Sequence, residues 1–420
     1  MNSGKRMMPI AFAGILLSGV TVDLIGKPTA FADVSQPTVS ETAHLGPLQR
    51  MSVEKVEPQS PALAKQARSA VIMEPATGKV LFAKNEHTRM PMASITKIMT
   101  MLLVMEAVDS GKLKLTDRVR ASDYAASMGG SQIFLESGEE MTVQDLMKGI
   151  AMASANDACV ALAEHLSGTV DNFVMRMNAR AASLGMKDTH FANCNGLPAA
   201  NHYSSAYDIA LMTRALLEHP QITTWTSIYS DYLRKESARP LWLVNTNKLV
   251  RFYDGLDGMK TGYTSEAKYC LSATAKKHGM RMIAVVLGEP KPTVRNGEVT
   301  SMLNWAFAQY EFRSLYKRGD IVGQCPVKGG RERVVAGMVN APVGAILERG
   351  QNAAIEKTVV WNEVRSPIKK GDRIGTLNVK VSDRWVGHYP IFAVRDVEKA
   401  TLMYRVGRAF QSFFSFGKTP

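Results

Sequence analysis

The sequence predicts an α/β protein: an antiparallel sheet flanked by helices, with a helical lobe inserted, then a small all-β domain and a C-terminal amphipathic helix. Three observations predict it. Short strand hairpins stand at both ends of one long segment, the residues between them are mostly of helical period, and from about Leu315 the texture changes to short β-type runs with frequent Gly and Pro. At 420 residues and 45% hydrophobic content, the chain can bury a large core in two or three domains.

The elements follow in order. Lys5 and Arg6, an apolar run from Met7 to Val22, and Ala30-Phe31-Ala32 before Asp33 read as an export signal over residues 1–32. The run falls short of the ~20 residues that span a bilayer. Residues 33–65 are polar and rich in Pro, Ser and Glu, as a flexible lead-in is. The main domain, 66–314, opens with runs Ser69 to Glu74 and Val80 to Lys84 joined by Pro75-Ala76-Thr77-Gly78-Lys79, a hairpin signal. Helical spacing then covers Ile95 to Ala107, Val143 to His165, Asp171 to Leu184 and Ser205 to Glu218. A second hairpin, Tyr269 to Ala275 with Met280 to Leu287, turns at Lys276-Lys277-His278-Gly279, and a helix from about Thr293 to Tyr310 follows. Residues 315–394 form the small β domain, with runs Val334 to Met338, Val359 to Val364, Arg373 to Val379 and Trp385 to Phe392. In the last stretch, 395–420, helical spacing from Leu402 to Phe416 gathers Leu402, Val406, Phe410 and Phe413 on one side. With Arg405, Arg408 and Lys418 and no acid after Glu398, that helix is expected to lie in a membrane interface, on the extracytoplasmic face.

The formal net charge of +13 suits an anionic partner such as a cell wall or lipid surface. Nucleic acid is disfavoured by the export signal and by the lack of a binding motif. Cys159, Cys194, Cys270 and Cys325 are scattered without C-x-x-C spacing, so neither a zinc site nor a disulfide framework is legible, and buried small hydrophobes are expected.

Three short words carry the chemistry: Ser94-Ile95-Thr96-Lys97, Ser154-Ala155-Asn156 and Lys260-Thr261-Gly262. A Ser-x-x-Lys alone arises by chance roughly once or twice in a chain of this length; the ordered set is far more specific. Ser94 stands just before an apolar helical stretch, where its own N–H can face a developing oxyanion. Lys97 is one turn on, on the same face, and a buried lysine there loses part of its preference for charge and can take the serine proton. Ser154 and Asn156 fall between two helical runs, at the tip of a turn: a hydroxyl to relay a proton and an amide to hold a carbonyl and the lysine. Lys260 and Thr261 offer donors to a carboxylate, Gly262 permits close backbone approach, and the Tyr263 N–H is a second oxyanion donor, all placed just before the strand of the second hairpin. The words converge on acyl transfer to a substrate ending in a carboxylate. With the lysine as base, His190 and His202 read as structural.

On these words, and on Pro91 to Thr100, Asn195-Gly196-Leu197, His202-Tyr203-Ser204-Ser205 and Gly258 to Tyr269, the chain resembles the D-alanyl-D-alanine carboxypeptidases, serine peptidases among the low-molecular-mass penicillin-binding proteins, over roughly Ala70 to Phe312. The resemblance implies a β-lactamase/transpeptidase-like fold, Ser94 as acylated nucleophile, Lys97 as base, Ser154 as relay and Lys260 as substrate contact, with Asn156 and Thr261 assisting. It also implies peptidoglycan stem peptides ending in D-Ala-D-Ala as substrate, β-lactams as acylating inhibitors and no metal or other cofactor. Gly129-Gly130-Ser131 would lie near the cleft and Arg295 would help bind the terminal carboxylate. A β-lactamase is disfavoured because Lys187 to Ala200 contains no glutamate for deacylation. A catalytically silent wall-binding protein is disfavoured by the intact words, and an additional transpeptidase or endopeptidase activity stays open.

Overall fold

The structure is a computed structural model that describes residues 62–382 and 384–401. The expected export signal, nearly all of the lead-in and the Leu402 to Phe416 helix lie outside the described residues.

Five antiparallel strands make the main sheet, in the order Lys79–Lys84, Ser69–Glu74, Met280–Glu289, Lys268–Lys277, Leu256–Thr264. The inner strands are buried on both faces and therefore read as continuous apolar runs. Alternation splits them between two cores. Val71, Met73, Ile283 and Val285 face the helical lobe; Ala70, Ile72, Ala284 and Val286 face the helix Pro292–Gln309 through Val299, Met302 and Leu303.

The lobe is built around the helix Lys97–Asp109, which is buried almost all round. That is why its sequence is apolar on every side rather than on one stripe. Helices Val143–Ala153, Asn156–Ser167, Val170–Ser183 and Ala206–Leu216 surround it. Thr142, Thr169 and Ser205 cap three of them, each accepting a backbone N–H of the first turn.

Both expected hairpins form and the third word does stand just before the strand of the second, but it is itself a strand: Lys260, Thr261 and Gly262 lie inside the edge strand Leu256–Thr264, where Thr261 pairs with Leu271 and Gly262 with Cys270. Two glycines and interspersed charge hide its period, and the partner strand makes it extended. The hairpin Ser230–Leu233 with Leu241–Val244 is likewise absent from the sequence expectation.

The all-β region begins earlier than expected, with Tyr310–Tyr316, and its six-stranded sheet runs Ile355–Trp361, Arg373–Val381, Arg384–Ala393, Val334–Val339, Ile321–Lys328, Val364–Arg365. Cys325, Val335, Leu377 and Ile391 fill its core. Residues 395–401 are not helical: Val397 bridges Ile368, Lys399 bridges Gly330, and Val397 is buried in that core. All four cysteines are free and buried, as expected of small hydrophobes.

Candidate active site

Ser94 sits in a single 3-10 turn, Ala93–Thr96, that leads into the helix starting at Lys97. The offset of three residues stacks the lysine under the serine, with Lys97 Nζ 2.9 Å from Ser94 Oγ. The lysine side chain is wholly enclosed, and its second polar contact is the Asn195 carbonyl oxygen at 2.5 Å. Burial pulls its pKa below the ordinary 10.5; nearby Cys159, Cys194 and Asp157 oppose the shift.

Ser154 ends the helix Val143–Ala153 in a left-handed conformation, φ 64°. From that sharp corner Ser154 lines the same cavity as the nucleophile. Its Oγ is buried and has no hydrogen-bond partner among the described residues, so it is available to a transferring proton. Asn156 donates from Nδ2 to the Gly129 carbonyl at 2.7 Å, and from its backbone N–H to the Ser131 carbonyl at 2.7 Å. These two bonds tie Asn156 to the Gly129-Gly130-Ser131 loop, which closes one side of the cleft, and use one of the two N–H groups of the amide. Gly130 is required there, at φ +80° with Asn156 Nδ2 only 2.9 Å from where a Cβ would stand.

The edge strand supplies the opposite wall. Lys260 is buried, its Nζ donates to the Thr261 carbonyl at 3.1 Å, and its pKa falls well below 10.5 through burial and then through repulsion from Lys97. Two enclosed amines with lowered pKa values can share a site in which one is neutral. Thr261 Oγ1 donates to Thr246 Oγ1 at 2.8 Å. A Cβ on Gly262 would stand 2.8 Å from the Met92 carbonyl oxygen, so glycine lets this strand pack against the nucleophile turn. The Tyr263 ring is 55% exposed and stacks on Tyr269 at 4.4 Å. Arg295, in the first turn of the helix Pro292–Gln309, is buried and donates only to Asn296 Oδ1, at 3.1 and 2.9 Å, with no carboxylate partner among the described residues.

Ser94, Ser131, Ser154, Thr261, Tyr263 and Arg295 line one cavity of about 540 Å³. Gly262 lines it too, while Lys97, Lys260 and Asn156 stand behind the wall. Among the described residues Lys248 and Arg295 are its lining cations and no carboxylate lines it, an arrangement that favours an anionic ligand. Three contributors escaped the sequence reading. Lys248 and Thr246 come from a segment with no motif, and Asp157 hides beside the second word, its carboxylate accepting the N–H groups of Ile133 and Leu135 to hold the cleft loop.

Comparison with known proteins matches residues 54–291 to the family described as D-alanyl-D-alanine carboxypeptidase and residues 310–399 to that described as Penicillin-binding protein 5, C-terminal domain. The chain is 45% identical over 414 residues to the D-alanyl-D-alanine carboxypeptidase DacF of Bacillus subtilis, covering 98% of this chain and 100% of that one. Among solved structures, penicillin binding protein 5 of Haemophilus influenzae is similar at TM-score 0.61 and 31% identity, over 80% of this chain and 98% of its own. Penicillin-Binding Protein D2 of Listeria monocytogenes, solved in its ampicillin-bound form, is similar at TM-score 0.53 and 30% identity, over 58% of this chain and 98% of its own.

Proposed function

The chain belongs to the D-alanyl-D-alanine carboxypeptidase family of penicillin-binding proteins, and from that premise we propose that it removes the terminal D-alanine from peptidoglycan stem peptides through an acyl-enzyme on Ser94, in cell-wall remodelling. The observation that carries the role of Ser94 is the 2.9 Å approach of an enclosed lysine amine to its hydroxyl.

Ser94 Oγ attacks the carbonyl carbon of the D-Ala-D-Ala bond as its proton passes to the neutral Lys97 amine. The backbone N–H groups of Ser94 and Tyr263 receive the oxyanion. Ser154 hands the proton on to the departing nitrogen, the C–N bond breaks and D-alanine leaves; water then adds to the ester, freeing Ser94 and the shortened peptide. The Thr261 hydroxyl and the Arg295 cation suit the substrate's terminal carboxylate, the Lys260 amine behind Thr261 is a further donor toward it, the space at Gly262 admits its backbone, and Asn156 braces the cleft loop. A β-lactam presents a strained amide to the same serine and stays attached as an ester.

Incubating the purified chain with diacetyl-Lys-D-Ala-D-Ala should release free D-alanine, and prior exposure to penicillin should block release while leaving one adduct on a peptide containing Ser94. Release that continues after full penicillin exposure would remove the acyl-enzyme from the reading.

Residues 1–32 serve as the export signal, 66–314 as the catalytic domain, 315–394 as a β domain, and the tail as a peripheral membrane contact on the outer face. Among the described residues no helix is long and apolar enough to cross a membrane. Deleting Thr401 to Pro420 should free the protein from membranes with turnover unchanged; sedimentation of the truncated protein with membranes would refute the anchor.

A further inference from the structure

Behind the nucleophile, a second set of buried polar groups takes no part in these proton transfers. Thr96 donates from Oγ1 to the Ala93 carbonyl at 2.8 Å and lies 2.7 Å from His202 Nε2. His202 Nδ1 accepts the Ala192 N–H at 2.9 Å. A neutral imidazole that accepts at Nδ1 carries its proton on Nε2, so the chain has one direction: Ala192 N–H, His202, Thr96 hydroxyl, Ala93 oxygen. Burial, with His190 and Lys97 adding to it, pulls the imidazole down to about 4, which keeps it neutral at pH 7.

The group at the end of this chain is under strain. Ala93 has φ +48°, a left-handed conformation that costs a residue with a side chain about 1–2 kcal/mol. Such conformations persist where the surroundings over-determine them. Here the Thr96 hydroxyl holds the carbonyl on one side, and Gly196 packs on the other, where a Cβ would stand 2.0 Å from the Ala93 oxygen and 2.9 Å from the Ser94 nitrogen. The Ala93 C=O and the Ser94 N–H belong to one planar trans peptide and point in opposite directions. Whatever fixes that carbonyl aims that amide.

We propose that Thr96 and His202 are positioning residues, which hold the Ala93 carbonyl inward so that the Ser94 N–H faces the reacting carbonyl as an oxyanion donor. The proposal rests on Ser94 being the nucleophile. Without the hydroxyl, Ala93 relaxes toward negative φ, and its peptide turns the amide away from the cleft. His202 therefore acts on the reaction through the backbone, two hydrogen bonds from the serine, and not as a base.

The test compares Thr96→Val, which keeps the shape and removes the hydroxyl, with Thr96→Ser, which returns it. One oxyanion donor contributes about 100- to 1,000-fold in rate. Thr96→Val is expected to lower kcat for D-alanine release and the rate of acylation by a fluorescent penicillin at least ~10-fold, with KM changed less than ~3-fold and a cooperative melt retained. Thr96→Ser recovers most of the rate. His202→Phe shows the same kcat signature, and the double variant loses no more than the worse single one, because both act through one carbonyl. A folded Thr96→Val with wild-type kcat, or Thr96→Val and Thr96→Ser equally slow, overturns the proposal; this pair decides even if His202→Phe does not fold. Failure of the wild-type chain to acquire a penicillin adduct on Ser94 overturns the nucleophile assignment, and the proposal with it, and is distinguishable from an acylated enzyme indifferent to Thr96.

Discussion

Lys97→Met is expected to lower D-alanine release by roughly 10⁴-fold or more, to the level left by Ser94→Ala. The two losses should coincide because nucleophile and base act as a unit, linked here by the 2.9 Å approach of Nζ to Oγ. Methionine fills a similar volume, so the helix Lys97–Asp109 keeps its packing. The accompanying pH dependence has a definite sign. The free amine is the reactive form, so kcat/KM rises with pH through a pKa that lies below 10.5 and levels off above it. For stability, a folded pKa depressed below the unfolded value means that the unfolded chain holds more protons between the two. Stability therefore climbs with pH across that interval, and Lys97→Met removes this residue's share of the slope, leaving that of Lys260. Turnover above about one hundredth of wild type in a folded Lys97→Met enzyme would eliminate the lysine as the base.

Gly196→Ala is expected to abolish acylation through geometry alone. The added methyl would stand 2.0 Å from the Ala93 oxygen and 2.4 Å from its carbon, both backbone atoms, at a residue whose φ is +85°. No rotamer change relieves such a clash, so the Ala93–Ser94 peptide or the Asn195–Leu197 loop must move, and that loop also carries the carbonyl that holds Lys97. A cost of about 3 kcal/mol or more and a loss of acylation of at least ~100-fold are expected. Gly111→Ala is the control: its φ is +73°, but no atom lies within 4 Å of the added carbon. It should cost only the left-handed strain, about 1 kcal/mol, with acylation unchanged. Melting temperature and penicillin acylation rate check both variants, and equal behaviour of the two would show that the Ala93 peptide tolerates displacement.

The parts of the fold that are legible in the sequence are those in which local order and burial coincide. Ser69–Glu74, Met280–Glu289 and the helix Lys97–Asp109 are apolar because each is enclosed, so composition and period report them directly. The Leu256–Thr264 strand was not legible, because Gly258 and Gly262 answer to neighbours at Thr226, Thr274 and Met92 and not to strand propensity. Asn156 shows the same limit on the side of the site: residue type announces a polar amide, but its partner is the Gly129 carbonyl, which only the folded chain brings near.

By itself, then, the sequence determined which reactive groups this protein owns, in what order, and that Ser94 and Lys97 share a face, since three residues of helix are a local geometry. Tertiary structure decided everything that depends on contact across the chain. It determined that the Lys97 amine is enclosed and its pKa lowered, that Ser154, Thr261 and Arg295 line one cavity with Ser94, and that the Ala93 carbonyl is gripped by Thr96, supported in turn by His202. Desolvation and hydrogen-bond direction are properties of assembled surroundings, formed from residues about a hundred positions apart, and no local pattern encodes them.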